Sequence, residues 1–188
     1  MKRLALISLA ALAALVVAGC GNKEETAVVA DTEGIYVGVD GLTYQVQLSR
    51  ILNPATLEDE SYLDGVAEED EELKPDEVWF AVFMRVENEG DDGDEALEPT
   101  NTFKITDTQG TTFEPIVIDT AVNPFAYDPA PLGPGQLIPP PNSPPSDNTI
   151  QGSLLLFKIP VESLGNRPLE LEIESERGGD NAVVDLDV

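Results

Sequence analysis

From residue 35 onward, apolar and polar residues alternate in short runs, each bounded by turn-forming residues. "IYVGV" and "LTYQVQL" face each other across Asp40-Gly41, a pair that favours a two-residue type I′ hairpin turn. In the second run Tyr44, Val46 and Leu48 share one face and Thr43, Gln45 and Gln47 the other, the pattern of a half-buried strand. "VWFAVFMRVEN", 78–88, is different. Val78, Phe80, Val82, Met84 and Val86 line one face, while Trp79, Ala81 and Phe83 make much of the other face apolar too, which predicts a central strand. "TFKIT" and "TTFEPIVI" flank Asp107-Thr108-Gln109-Gly110 and read as a second hairpin. "GSLLLFKIP" ends at Pro160, "LELEIE" points Leu169, Leu171 and Ile173 inward, and "AVVDLDV" is the last run. No segment keeps a helical period; the acidic stretch 66–73 allows one or two helical turns. Seven or eight short strands with turn signals between them predict an all-β fold, an antiparallel β-sandwich over 34–188, with an open barrel as the alternative.

Ahead of these runs the pattern changes. Lys2 and Arg3 precede an uncharged stretch, Leu4 to Ala18, broken only by Ser8. That is the layout of a secretory signal over residues 1–19. Fifteen helical residues reach about 22 Å, short of the ~30 Å hydrocarbon core, and strongly polar chain follows with no stop-transfer pattern. The stretch ends on Cys20, the one cysteine of the chain, and Val17-Ala18-Gly19-Cys20 resembles the lipobox of bacterial lipoproteins. The resemblance implies diacylglycerylation of the Cys20 sulfur and cleavage just before it. Two or more acyl chains hold a soluble domain on a bilayer durably, whereas one gives only marginal binding. The expected location is therefore the extracytoplasmic face of the cell membrane. Residues 20–33 are expected to form a flexible tether. With Cys20 used, no disulfide is available, and the remaining 169 residues must be held by one core.

Charge narrows the partners. Loss of Lys2 and Arg3 leaves eight basic residues against 36 acidic ones, a formal net charge of −28. Nucleic acid and anionic lipid surfaces need a basic footprint and are excluded as direct partners. Half of the acids lie in two segments: eleven in 58–77 and seven in 87–98. The strand between them, at about 3.3 Å per residue, places them at opposite ends of the sandwich. Within "EGDDGDEALE", Asp91, Asp92, Asp94 and Glu95 around Gly93 are the candidate ligands for Ca²⁺, which takes six to eight oxygens. The stretch departs from the EF-hand template, with Asp92 where glycine is required and no flanking helices. Solvated acidic loops suited to high salt account for the same residues, including the outward acids Glu170, Glu172, Glu174 and Glu176.

The order of several motifs carries a wider resemblance. "RVENEG", "TFKITDTQGTTFEP", "GSLLLFKIPVESL" and "PLELEI" resemble the immunoglobulin-like lipoprotein domains of unknown function found in bacteria. That group is similar in fold to the immunoprotective extracellular antigen family, also called telokin-like. Asn88 and Gly90, Asp107 and Gly110, and Gly152, Phe157 and Pro160 fall at the group's turns and strand end, over about residues 35–175. The resemblance implies an immunoglobulin-like sandwich on a surface lipoprotein, and it carries over no catalytic or ligand-binding residue. The acidic segment 53–77 and the proline-rich segment 123–149 depart from it.

Catalytic constellations are scarce. Histidine is absent, which removes Ser-His, Cys-His and His-ligated metal chemistry. Lys23, Lys74, Lys104 and Lys158 sit in no recognisable Ser-Lys frame, and with 36 acids carboxylate pairs arise by chance. No enzyme is expected. Nine of the fifteen prolines lie between Pro124 and Pro145, so this stretch cannot be a sheet interior. Its apolar residues Phe125, Tyr127, Leu132, Leu137 and Ile138 are expected to fold back over the core, the alternative being a docked partner. Trp79 is expected to anchor the core. The functional expectation is a non-catalytic binding or interaction module for an extracytoplasmic protein or small ligand. A cation-binding or salt-adapted envelope protein is the alternative.

Overall fold

The strands form in chain order as Val29–Ala30 (β1), Tyr36–Val39 (β2), Leu42–Ile51 (β3), Glu77–Glu87 (β4), Phe103–Thr106 (β5), Thr112–Phe113 (β6), Leu137–Ile138 (β7), Ser153–Pro160 (β8), Leu169–Ile173 (β9) and Ala182–Leu186 (β10). Two short helices, Leu57–Ser61 (α1) and Pro144–Asp147 (α2), complete the elements with a single 3-10 turn at Ser163–Gly165. This is a computed structural model, and it describes residues 26–188. The signal segment 1–19, Cys20 and residues 21–25 lie outside the described residues.

The all-β sandwich is present. One sheet runs β1-β10-β9-β5-β6; the other runs β2-β3-β4, with β7 and β8 sharing the far edge of β4. Three of the ten strands (β1, β6 and β7) have only two residues each, which accounts for the excess over seven or eight. All pairings between strands are antiparallel except β1 with β10. The β2–β3 hairpin turns as expected: Asp40 has φ 54° and Gly41 φ 86°, the left-handed pair of a type I′ turn. At Gly152, where β8 meets β4, a Cβ would stand 2.9 Å from the Met84 nitrogen, so only glycine lets the two backbones approach.

The two faces of β4 go to two cores. Phe80, Val82, Met84 and Val86 point between the sheets and pack with Tyr44, Val46, Phe157, Ile159, Leu169, Leu171 and Ile173. Trp79, Ala81 and Phe83 point the other way, into a second cluster with Leu52, Tyr62, Val66, Leu154 and Leu156. β4 is therefore apolar on both faces because both are covered.

Four expectations need correction. Residues 29–30, expected within the flexible tether 20–33, pair with Val183 and Val184 of β10, and the Gly38 N–H donates to the Ala27 carbonyl at 3.0 Å. Apolar Ala30 is 1% exposed, and its burial explains the docking. Second, Tyr44, Val46 and Leu48 do not share a face. A register shift between Val46 and Leu48 makes Gln47 a bulge residue and turns Leu48 into the outer cluster, opposite Phe83. Third, the acidic segment 53–77 does more than cap an end of the sandwich. Its Tyr62, Val66, Leu63 and Leu73 lie on the outer face of β4. Fourth, its helical turn is α1, upstream of 66–73.

The proline-rich segment folds back. Tyr127, Leu132 and Ile138 are buried in the inner core, Phe125 packs on the outer one, and Leu137 is half-buried in β7. Trp79, 4% exposed, anchors the outer cluster.

Candidate functional site

Two buried asparagines, a half-buried one and one ion pair hold the irregular segments in place. Asn123 Nδ2 donates to the Tyr62 and Asp64 carbonyls at 3.0 and 2.9 Å, joining the proline-rich segment to the acidic one. Asn148 Nδ2 donates to the Tyr62 hydroxyl at 3.0 Å. Asn88 Nδ2 donates to the Leu132 carbonyl at 2.8 Å, while its Oδ1 accepts from the Gly90 N–H. Asp59, 4% exposed, receives both Nη groups of Arg50, and its Oδ2 also accepts the Asn53 N–H. The Arg50 hydrogen bond holds the Asp59 carboxyl below the usual carboxylate range, against the opposing effect of burial. Each staple satisfies a polar group that burial would otherwise leave unpaired.

Two tyrosines fix the segment before β5. The Thr100 N–H donates to the Tyr44 hydroxyl and the Tyr127 hydroxyl donates to the Thr100 carbonyl, both at 2.9 Å. Burial pushes the Tyr44 phenol up to about 12, and burial pushes Tyr127 up as well. In the expected turn after β5, Asp107 Oδ1 accepts the Gln109 and Thr111 N–H groups at 2.9 Å. With Asn166 on its other oxygen as the main cause, the Asp107 carboxyl drops to about 2. These are structural roles: every polar atom involved is turned onto the chain itself.

The Ca²⁺ candidates are placed on one exposed loop. Asp91, Asp92, Asp94 and Glu95 are all exposed. Asp94 Oδ2 accepts the Asp91 N–H at 2.9 Å, so this carboxylate closes its own loop. Asp94 and Glu95 line an open groove of about 1590 Å³ with Asp40, Glu89 and Asp180, and neither Asp91 nor Asp92 lines it. Asp40 is occupied: it accepts Ser175 Oγ at 2.6 Å and the Glu176 N–H at 2.9 Å. Among the described residues no three carboxylates come together as a metal ligand set. Cys20, the lipid-attachment candidate, lies outside the described residues.

A more closely built site lies where β7 and β8 meet on β4. Val86 pairs with Ile138 of β7 and Met84 with Ser153 of β8, leaving Arg85 between the two junctions. Two clefts flank this point. One, of about 650 Å³, is walled by the proline-rich segment, including Pro124, Leu132, Ile138, Pro140 and Pro145. The other, of about 310 Å³, has Arg85, Gln47, Asp147 and Gln151 beside Leu137 and Pro139. Arg85 and Gln47 carried no signal in the sequence, because both stand in runs read as ordinary strand. The bulge at Gln47 and the gap over Arg85 arise from long-range pairing.

Comparison with known proteins gives the fold level only. No family model and no curated protein matches this chain. Among solved structures, an uncharacterized β-sandwich protein of Clostridium difficile 630 is similar at 16% identity and a TM-score of 0.47, over 88% of this chain and 98% of that one. A candidate lipoprotein of Bacillus subtilis subsp. subtilis str. 168 is similar at 12% identity and a TM-score of 0.46, over 80% of this chain and 38% of that one. Neither description names the immunoprotective extracellular antigen group, so the resemblance to that group stands on the motifs alone. No helix among the described residues is long and apolar enough to cross a membrane.

Proposed function

We propose that this chain is a lipid-anchored extracytoplasmic lipoprotein whose sandwich acts as a non-catalytic binding module, consistent with the immunoglobulin-like lipoprotein resemblance. The observation that carries the binding reading is the pair of clefts at the β7–β8 junction. They are walled by prolines, which give a stiff rim, and they present polar side chains that the core does not use. The anchor reading rests on Val17-Ala18-Gly19-Cys20 at the end of the apolar run. The absence of histidine from the chain and the use of its one thiol as an attachment point support a role without catalysis.

Cross-linking on intact cells followed by mass spectrometry tests the module. A reproducible cross-linked partner or ligand mapping to residues 124–152 is expected, and cross-links scattered evenly over the surface would refute it. For the anchor, Cys20→Ser is expected to move the protein from the membrane fraction to the soluble one. An unmodified Cys20 in the mature N-terminal peptide would overturn the lipid attachment.

The acidity favours a second reading, a salt-adapted envelope protein. Lys104 of β5 already bridges Glu172 of β9 and Glu174 just beyond it at 3.0 and 2.8 Å, a cross-strand answer to repulsion between neighbouring acids. Melting in NaCl, KCl and CaCl₂ at matched ionic strength separates the two readings. Equal stabilisation by all three salts supports salt adaptation, and stabilisation by none refutes it.

A further inference from the structure

The excursion 139–152 leaves the edge of β4 opposite Val86 and returns opposite Met84. Fourteen residues are thus spent to advance two positions along a strand. They add nothing to the sheet. What they build is the 310 Å³ cavity over Arg85, closed in part by α2 through Ser146 and Asp147.

Arg85 differs from the other buried-side arginine. Arg50 has both Nη groups on one carboxylate and a further contact to the Ile51 carbonyl. Arg85 has one ion-pair partner, Glu87, two residues along its own strand and 2.8 Å from Nη2. Among the described residues nothing accepts from its Nη1, and that free Nη1 is the difference, since the enclosed Nε is unbonded in both arginines. The side chain keeps 37% of its surface exposed and lines the cavity. A guanidinium has five donors in a fixed fork, and the one chemistry that matches that fork is an oxyanion.

Charge then selects among oxyanions. The chain carries 36 acids against ten bases, and such a field repels a free anion. Yet the same cavity presents Asp147, whose Oδ1 is met by Ser146 Oγ at 3.1 Å and whose other oxygen is left for a cation. A ligand with both charges is neutral overall, so the field neither attracts nor repels it, and each end finds a counter-charge. Leu137, Pro139 and Pro141 supply an apolar wall for an aliphatic body. The volume sits at the lower end of the range for small-molecule sites, roughly 300–1,000 Å³.

We propose that this cavity binds a small zwitterion with an aliphatic body, an α-amino acid, with its carboxylate on Arg85 and its ammonium on Asp147. The proposal rests on reading the domain as a binding module and names that module's ligand class.

L-leucine is the probe, titrated calorimetrically into the full mature chain at fixed ionic strength. Two analogues dissect it: 4-methylpentanoate lacks the ammonium and 3-methylbutylamine lacks the carboxylate. Saturable binding of leucine is expected, with each analogue weaker by about tenfold or more, the size of one charge-assisted hydrogen bond. R85Q and D147N should each weaken leucine by about tenfold, and R85K, which keeps the charge but not the fork, should not restore it. Asp147 is exposed at the end of α2, so D147N keeps the test open if R85Q fails to fold. Equal affinity for leucine and 4-methylpentanoate would overturn the proposal in favour of a plain anion site. Absence of saturation with leucine, or unchanged leucine binding in both variants, would overturn it outright. The module reading is decided separately, by the cross-linked partner.

Discussion

The two faces of the β2-β3-β4-β8 sheet are covered in different ways. Between the sheets, strands face strands, and Phe80, Met84 and Val86 meet Leu169, Leu171 and Ile173 across a standard sandwich core. On the outside the same sheet meets irregular chain: Tyr62 and Val66 from the acidic segment and Phe125 from the proline-rich one. The inner core needs only alternation in register. The outer core also needs polar staples, because loops have no ladder to satisfy their backbone, and Asn123, Asn148 and the Arg50–Asp59 pair supply them. Two long irregular segments therefore form a third layer.

The largest effect should come from the inner face. Phe80→Ala removes a fully buried ring and is expected to cost about 3–5 kcal/mol in chemical denaturation, with the whole sandwich unfolding in one transition. Tyr62→Ala should cost somewhat less, about 3 kcal/mol, since it loses edge contacts to Phe83 and Phe125 at 5.1 and 5.0 Å. Trp79 is the one tryptophan and sits in the outer cluster, so its emission distinguishes the two variants. In native buffer Tyr62→Ala should shift that emission to the red, whereas Phe80→Ala should leave it in place. Identical spectra would mean that the two cores behave as one.

Asp59→Ala should cost about 2 kcal/mol in the same denaturation series. It strands Arg50 against the sheet, at a site open enough for water to compensate partly. The smallest effect is a pH effect. Because the Asp59 carboxyl is held below its unfolded value of 3.8, the stabilisation it gives is complete above that pH. It is lost as pH falls through the lower folded value. Acid titration should therefore change Trp79 emission below pH 3.8, and Asp59→Asn should flatten that limb of the stability curve. Acid changes unaltered in Asp59→Asn would remove the ion pair as the tie between cover and sheet.

Much of the inner half was legible in the chain. Alternation in 78–86 names both faces of β4, Asp40-Gly41 names its turn, and Leu169, Leu171 and Ile173 are buried as their spacing requires. The apolar residues of the proline-rich segment also declare that they need cover. The bulge at Gln47 was not legible, because "QVQL" alternates without a mark and the slip is imposed by pairing with β4. Nor was β1: "AVVA" is too short to show a period, and its partner β10 lies more than 150 residues away. The Arg85 cavity has the same cause. It exists only because β7 and β8, both far beyond β4 in the sequence, share one edge of it, and no local pattern records that.

β1 carries a mechanical consequence. Just before it, the Ala27 carbonyl is bound by Gly38 of one sheet and the Val28 carbonyl by Val183 of the other, so residues 27–30 clasp both sheets at once. A pull on the chain from its N-terminal side is delivered to both sheets together and runs along the axis of β1. The short parallel ladder with β10 is thus loaded in shear and is not peeled open one bond at a time. A domain leashed at that end would resist drag at the very point where the leash is fastened.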